Sequence, residues 1–249
     1  MNDILLSAFF LSVVLVGIHS FFGLEIIKRG IIFTDLAIGQ MAALGAAVSI
    51  FFVHGMYLYP ISLVFALFAG IIIALAAKRT KNLEAFIGLL YAFGISAVFI
   101  ILSKSYHGME EFQRLLASDI LFTPAGEIIK TAIIYSSLGL LLFVFYRKAQ
   151  GIVKDVIFFV TFAITVTSSV RLAGVLIVFA LLVSPALIAM RIKAGIPLIN
   201  AWIIGTAINL LSILVSYNLD IPTGYTLVFI NAFCALVVSF FVNHNSENA

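Results

Sequence analysis

Residues 170–198, "VRLAGVLIVFALLVSPALIAMRIKAGIPL", indicate the fold class on their own. An apolar run follows Arg171, contains Pro185 as its main irregularity, and ends at the two basic residues Arg191 and Lys193. A helix that crosses a bilayer needs about 20 mostly apolar residues, and a proline inside it causes a kink or a loosened turn. The stretch therefore predicts a membrane span that ends in a basic segment.

The same pattern recurs along the whole chain. Of its 249 residues, 63% are hydrophobic and only 10% are charged, whereas a soluble domain carries roughly 25% charged residues. We predict an all-α polytopic membrane protein in which residues 1–249 form a single transmembrane domain. The nine candidate spans are 4–24, 36–53, 61–77, 83–102, 128–146, 154–170, 172–190, 197–217 and 224–242, with the sixth and seventh joined at Arg171.

The distribution of basic residues predicts the orientation of these spans. Ten of the 14 Lys and Arg residues fall in alternate loops: Lys28, Arg29, Lys78, Arg79, Lys81, Arg147, Lys148, Lys154, Arg191 and Lys193. The other side has only Lys104, Arg114, Lys130 and Arg171. Cytoplasmic loops carry the excess of positive charge, so we expect the N-terminus outside and the C-terminus inside. The long polar connection 103–127 is then an outer loop, or in part a surface helix or re-entrant segment.

Several function classes are disfavoured by the motifs that the sequence lacks. It has no nucleophile–base motif, no phosphate-binding loop and no metal-chelating His/Cys spacing, so we expect neither an enzyme nor ATP hydrolysis by this chain. The net charge of +3 is scattered over short loops, which disfavours a nucleic-acid partner. The single cysteine, Cys234, lies in an apolar run and is expected to serve packing.

Polar residues inside apolar spans are the candidate functional residues, because charge in a membrane span is costly and usually functional. Asp35 lies in the segment "RGIIFTDLAIGQMAALGAA", residues 29–47, which also contains Gln40. His19 lies deep in the first span. Asp35 is either a carboxylate stabilised by a helix N-terminus or a polar group on a substrate path. His19 is either a hydrogen-bonded packing residue or a partner on that path.

Four stretches, in order, resemble the membrane permeases of bacterial zinc, manganese and iron ABC importers. "RGIIFTDLAIGQMAALG" is similar to the family's second-helix segment, and "KNLEAFIGLLYAFGIS" to its acidic, Gly-containing segment. "LAGVLIVFALLVSPALIA" and "DIPTGYTLVFINA" resemble its two most distinctive signatures, V-G-x-L-L-V-x-A-L-L-x-x-P-A and D-x-P-T-G-P-T. The resemblance implies the permease fold shared with vitamin B12 importers, in a bacterial cytoplasmic membrane.

This resemblance also implies partners that composition does not show. It implies a homodimer, or a pair of homologous permeases, surrounded by membrane lipid. A separate ATPase subunit would use ATP, this chain would bind no cofactor, and an extracytoplasmic binding protein would deliver the metal. Residues 189–198 match the position of the family's coupling helix, which gives Arg191 and Lys193 a role in ATPase docking.

The metal site departs from the family pattern at one position. Many members have His four residues after the Asp, which puts both ligands on one helix face, but this chain has Gly39 there. We expect Asp35, Gln40 and possibly His19 to line the translocation pathway. Amide and carboxylate oxygens suit manganese better than zinc. A permease for a metal chelate, such as a siderophore or cobalamin, is the alternative, followed by a stand-alone ion-coupled secondary transporter.

Overall fold

The computed structural model describes residues 2–105, 110, 120–192 and 195–241, and all regular structure within them is helical. Lys193 and Arg114 lie outside the described residues. The helices are α1 Asn2–Arg29, α2 Thr34–Val53, α3 Leu58–Arg79, α4 Leu83–Leu102, α5 Ala125–Leu141, α6 Gly151–Ala173, α7 Val175–Arg191, α8 Pro197–Leu219 and α9 Thr223–Phe241. A 3₁₀ turn, Ile120–Phe122, precedes α5, and a π-helical turn, Leu142–Tyr146, follows it.

Eight of these helices are long and apolar enough to cross a membrane, counting α5 with its π-helical turn. The described α7 has 17 residues and is apolar but shorter. A helix satisfies its backbone hydrogen bonds internally, as hydrocarbon requires. The predicted all-α polytopic class is confirmed, with eight full-length spans and one shorter apolar helix in the part of the chain that is described.

The sixth and seventh spans separate at Gly174 and not at Arg171, where the sequence placed their junction. Gly174 has φ of 86°, a conformation that glycine adopts without a steric penalty, and it ends α6. Arg171 remains helical, and its guanidinium lies 4.9 Å from the centre of the Tyr59 ring. A cation over an aromatic ring is stabilised by a cation–π interaction, so the charge of Arg171 is accommodated within the helix.

The chain divides into two compact units. The first consists of Met1–Arg29, Asp119–Lys130 and Leu176–Ala249. Within it, α8 packs against both α1 and α9. The amide Nδ2 of Asn231 on α9 donates to Oδ1 of Asn209 on α8 at 2.9 Å, and both side chains are fully buried. Interhelical hydrogen bonds of this kind hold helices together inside a membrane.

The second unit consists of Gly30–Ser118 and Thr131–Val175. Here α2 packs against α3, α4 and α6, and α3 also packs against α6. A Cβ at Gly70 of α3 would lie 2.8 Å from the carbonyl oxygen of Phe159, so the two backbones touch at this point. In their most apolar stretches α2 and α6 are each 67% buried, the highest share of any span. They form the interior of this unit, and α2 carries Asp35.

Candidate functional site

Asp35 occupies the first turn of α2, where the loop after α1 enters the second unit. The hydroxyl of Thr34, its neighbour, donates to the carbonyl oxygen of Ile31 at 2.6 Å and fixes the entry of the helix. The Asp35 side chain is 2% exposed, and its Oδ1 has no hydrogen-bond partner among the described residues. Buried polar atoms are nearly always hydrogen-bonded, so an exception calls for an explanation. A carboxylate oxygen left in this way retains the capacity to coordinate a cation.

Gly39 leaves space on the same face of α2, one turn beyond Asp35. Residues four apart lie one above the other on a helix. Gly39 is buried, yet a Cβ added there would meet no atom outside its own helix within 4 Å. In the resemblance to the metal permeases, many members of that family have a histidine at this position. Because residue 39 is glycine in this chain, the space that a histidine side chain would fill, next to the Asp35 carboxylate, is left open on this face of α2.

Gln40 lies on a different side of α2. Five residues separate it from Asp35, which rotates its side chain by about 140° around the helix axis. A Cβ at Gly94 of α4 would lie 3.1 Å from the Gln40 Cβ, so this side of α2 packs closely against α4. Asp35 and Gln40 are therefore on one helix but not on one face.

His19 belongs to α1 in the first unit. It is fully buried, and its Nδ1 donates to the carbonyl oxygen of Leu15, one turn earlier, at 2.7 Å. This bond is the arrangement expected for a packing histidine. A role of His19 in the pathway stays a prediction.

Glu84, in the first turn of α4, also reaches the start of α2. Its Oε1 accepts a long hydrogen bond from the Phe33 backbone N–H at 3.4 Å. Its Oε2 is buried and has no hydrogen-bond partner among the described residues. The first turn of α2 thus has two carboxylates associated with it, one from α2 itself and one from α4. Only the tertiary structure reveals the second.

No group of three or more His, Cys, Asp or Glu side chains in the described part of the chain is placed to hold a metal ion. A closed structural metal site needs about four such ligands. The donors around α2 are few and consist of oxygens. They suit a cation in transit, because conduction requires binding that is weak enough to permit release.

The basic segment after α7 is described only in part. Arg191 ends α7, Ile192 and Ile196 are not helical, Gly195 has φ of 80°, and α8 begins at Pro197. The described residues of 189–198 therefore belong to the ends of α7 and α8 and to the turn between them, and do not form a helix of their own. Four apolar side chains of this segment are exposed, namely Met190, Ile192, Ile196 and Leu198.

Comparison with known proteins agrees with the resemblance drawn from the sequence. Residues 149–242 match the model of the ABC 3 transport family. The fold is similar to that of a chain of PsaBC from Streptococcus pneumoniae in complex with Fab, with a TM-score of 0.75 and 19% identity over 97% of this chain and 92% of that one. The permease resemblance is confirmed. Together with the apolar helices, the family match indicates a multi-pass protein of the cytoplasmic membrane.

Other similar proteins are membrane proteins or transporters. A probable iron transport system membrane protein of Haemophilus influenzae is 24% identical, over 96% of this chain and 90% of that protein. A membrane protein of Cyanophora paradoxa from the ycf23-apcF intergenic region is 25% identical, over 86% of this chain and 81% of that protein. An inward-facing structure of a putative metal-chelate type ABC transporter matches with a TM-score of 0.66 and 16% identity, over 93% of this chain and 84% of that one.

Proposed function

We propose that this permease carries a divalent metal cation into the cytoplasm as the membrane subunit of an ABC importer. The observation that carries the proposal is the buried Asp35, whose Oδ1 lacks a partner among the described residues inside a protein of this fold. A cation passing the start of α2 exchanges part of its hydration shell for carboxylate oxygen, which also offsets its charge.

The chemistry of the donors favours manganese or ferrous iron over zinc. Oxygen ligands suit harder cations, while imidazole and thiolate suit zinc. At position 39, where a histidine would supply nitrogen, the chain has glycine. The iron transport relative supports the same range of ions.

The energy source in this proposal is a separate ATPase subunit, because the sequence contains no phosphate-binding loop. A second permease copy, or a homologous permease, completes the membrane part, and an extracytoplasmic binding protein supplies the ion. A metal chelate is the second candidate substrate, since one of the similar structures is that of a putative metal-chelate type ABC transporter.

The proposal is tested in proteoliposomes that contain the permease, its ATPase and the binding protein. We expect ATP-dependent accumulation of radiolabelled manganese or ferrous iron in excess of zinc. If the complex takes up a ferric siderophore or cobalamin but none of the free ions, the substrate is a metal chelate and not a free cation. Uptake that follows an ion gradient in liposomes lacking the ATPase would overturn the ABC proposal in favour of a secondary transporter.

Docking of the ATPase provides a second prediction. We expect Arg191→Glu combined with Lys193→Glu to weaken co-purification of the ATPase at least roughly tenfold, because like-charge contacts at an interface cost several kcal/mol. Metal uptake should fall in parallel. The control pairs Arg79→Glu with Lys81→Glu, which makes the same charge change at the connection between α3 and α4, another segment that the basic residues predict to be cytoplasmic. Equal ATPase yield from both double variants would remove Arg191 and Lys193 from the docking surface.

A further inference from the structure

We propose that Ser49 is a second oxygen ligand on the cation route, on the same face of α2 as Asp35 and near the opposite end of that helix. The inference rests on the proposed function, because it extends the path that begins at Asp35. In this proposal α2 lines the cation route over most of the length of the helix.

The state of the Ser49 hydroxyl is the first observation. Ser49 is fully buried, and its Oγ has no hydrogen-bond partner among the described residues. Serine and threonine inside a helix ordinarily donate to the carbonyl one turn earlier. Buried hydroxyls elsewhere in the chain do so: Ser12 to Phe9, Thr161 to Ile157, Thr165 to Thr161, Thr167 to Ala163 and Ser212 to Ile208.

Ser49 therefore departs from the pattern that these five hydroxyls follow. Two other serines have a buried hydroxyl oxygen in this state, Ser20 and Ser239, on α1 and α9 of the other unit. Burial of an unpaired hydroxyl destabilises a protein relative to an apolar side chain of the same size. Packing alone accordingly favours alanine at position 49, and a ligand that uses the oxygen accounts for the serine.

The register of α2 is the second observation. Ser49 lies 14 residues after Asp35, which is nearly four helical turns. With 3.6 residues per turn, the two side chains differ by only about 40° around the axis and by about 21 Å along it. Two oxygens without hydrogen-bond partners among the described residues thus belong to one face, at its two ends.

The residues between them on this face have little or no side chain. Gly39, Ala42 and Ala46 occupy its successive turns and are all buried. Gly39 adds open space, since a Cβ there would meet nothing outside its helix within 4 Å. No bulky side chain of α2 separates the Ser49 hydroxyl from the Asp35 carboxylate. With the orientation predicted from the basic residues, a cation from outside meets Ser49 first and Asp35 last.

The central experiment changes the chemistry of the oxygen. Ser49→Cys replaces it with sulfur, which prefers softer ions. We expect the ratio of zinc or cadmium uptake to manganese uptake to rise, in the complete transporter, by about two- to tenfold, the range of one net polar contact. The matched control, Ser212→Cys, changes a fully buried serine that is bonded within its own helix and should leave the ratio unchanged. An unchanged ratio for Ser49→Cys overturns the proposal.

A second pair of variants separates transport from stability. Ser49→Ala should lower manganese uptake at subsaturating metal by a similar factor while the melting temperature in detergent stays equal or rises. Ser49→Thr, which keeps a hydroxyl, should restore uptake. Wild-type uptake by Ser49→Ala, with Asp35→Asn still impaired, rejects Ser49 and leaves the proposed function intact. If the wild-type complex itself moves no metal, it is the proposed function that fails.

Discussion

Replacing Asp35 with Asn is expected to reduce ATP-dependent metal uptake by roughly 100-fold or more at subsaturating metal. Loss of a residue that merely supports a metal ligand commonly lowers metal affinity 10- to 100-fold, and a ligand should matter at least as much. Asn keeps the size of the side chain and one of its two oxygens but removes the charge that offsets the cation.

The substitution distinguishes the two interpretations of Asp35. A residue that only stabilises the start of α2 through its charge tolerates Asn at a cost of about 0.3–1 kcal/mol, the usual size of a charge–dipole interaction in the first turn of a helix. The structure shows a side chain that is 2% exposed with Oδ1 lacking a partner among the described residues, and a cap alone does not account for that oxygen. We therefore expect loss of transport with little loss of folded protein.

The measurement is initial uptake of manganese and iron, together with metal-stimulated ATP hydrolysis, in reconstituted complexes at matched permease content. The control is Asp155→Asn, the same chemical change at a half-buried position near the N-terminal end of α6. Asp155→Asn should transport at the wild-type rate. Uptake by Asp35→Asn equal to that of the control would limit Asp35 to stabilising the first turn of α2, and the ion route would lie elsewhere.

The spans could be predicted from the sequence because membrane burial is encoded locally. A run of about 20 apolar residues is sufficient to identify a span, whichever helices it later contacts. The junction between the sixth and seventh spans could not be placed in this way. A charged residue such as Arg171 looks like a break between two spans in a hydropathy profile. In the structure its guanidinium lies over the Tyr59 ring, so Arg171 takes part in a contact between α6 and α3. Gly174 ends the helix through its backbone conformation, which hydropathy does not register.

The candidate site was predictable in part for the same reason. Asp35 stands out because it is a charge within an apolar segment. Ser49 and Glu84 do not stand out, because serine is common in membrane helices and Glu84 follows a basic loop. Their significance depends on which atoms remain without partners after packing, and this is a property of the tertiary structure. Helix periodicity already separates Gln40 from Asp35, and the contact of Gln40 with Gly94 shows which neighbour that side faces.

Gly23→Ala is expected to be the most destabilising single change in the first unit. A Cβ at Gly23 of α1 would lie 2.0 Å from the carbonyl oxygen of Leu182 and 2.9 Å from the Cβ of Ala186, both on α7. The nearer atom belongs to the backbone of a helix, so no side-chain rotation relieves the overlap. Helices in membranes approach this closely only where a small residue permits it.

The cost of this substitution should exceed that of ordinary overpacking. Adding atoms to a well-packed interior costs about 1–3 kcal/mol when side chains can adjust. Here α1 and α7 must separate, so we expect about 3 kcal/mol or more, which is a large fraction of a protein's total stability. Thermal unfolding of the purified permease in detergent, followed by size-exclusion chromatography of the remaining soluble protein, gives the measurement.

The control is Gly88→Ala in α4, where the new Cβ meets nothing within 4 Å and alanine favours the helix by up to about 1 kcal/mol. The methyl group of Gly23→Ala would overlap a backbone atom of α7, whereas that of Gly88→Ala would not overlap any atom. Equal melting temperatures for the two variants would therefore show that α1 and α7 do not make this contact.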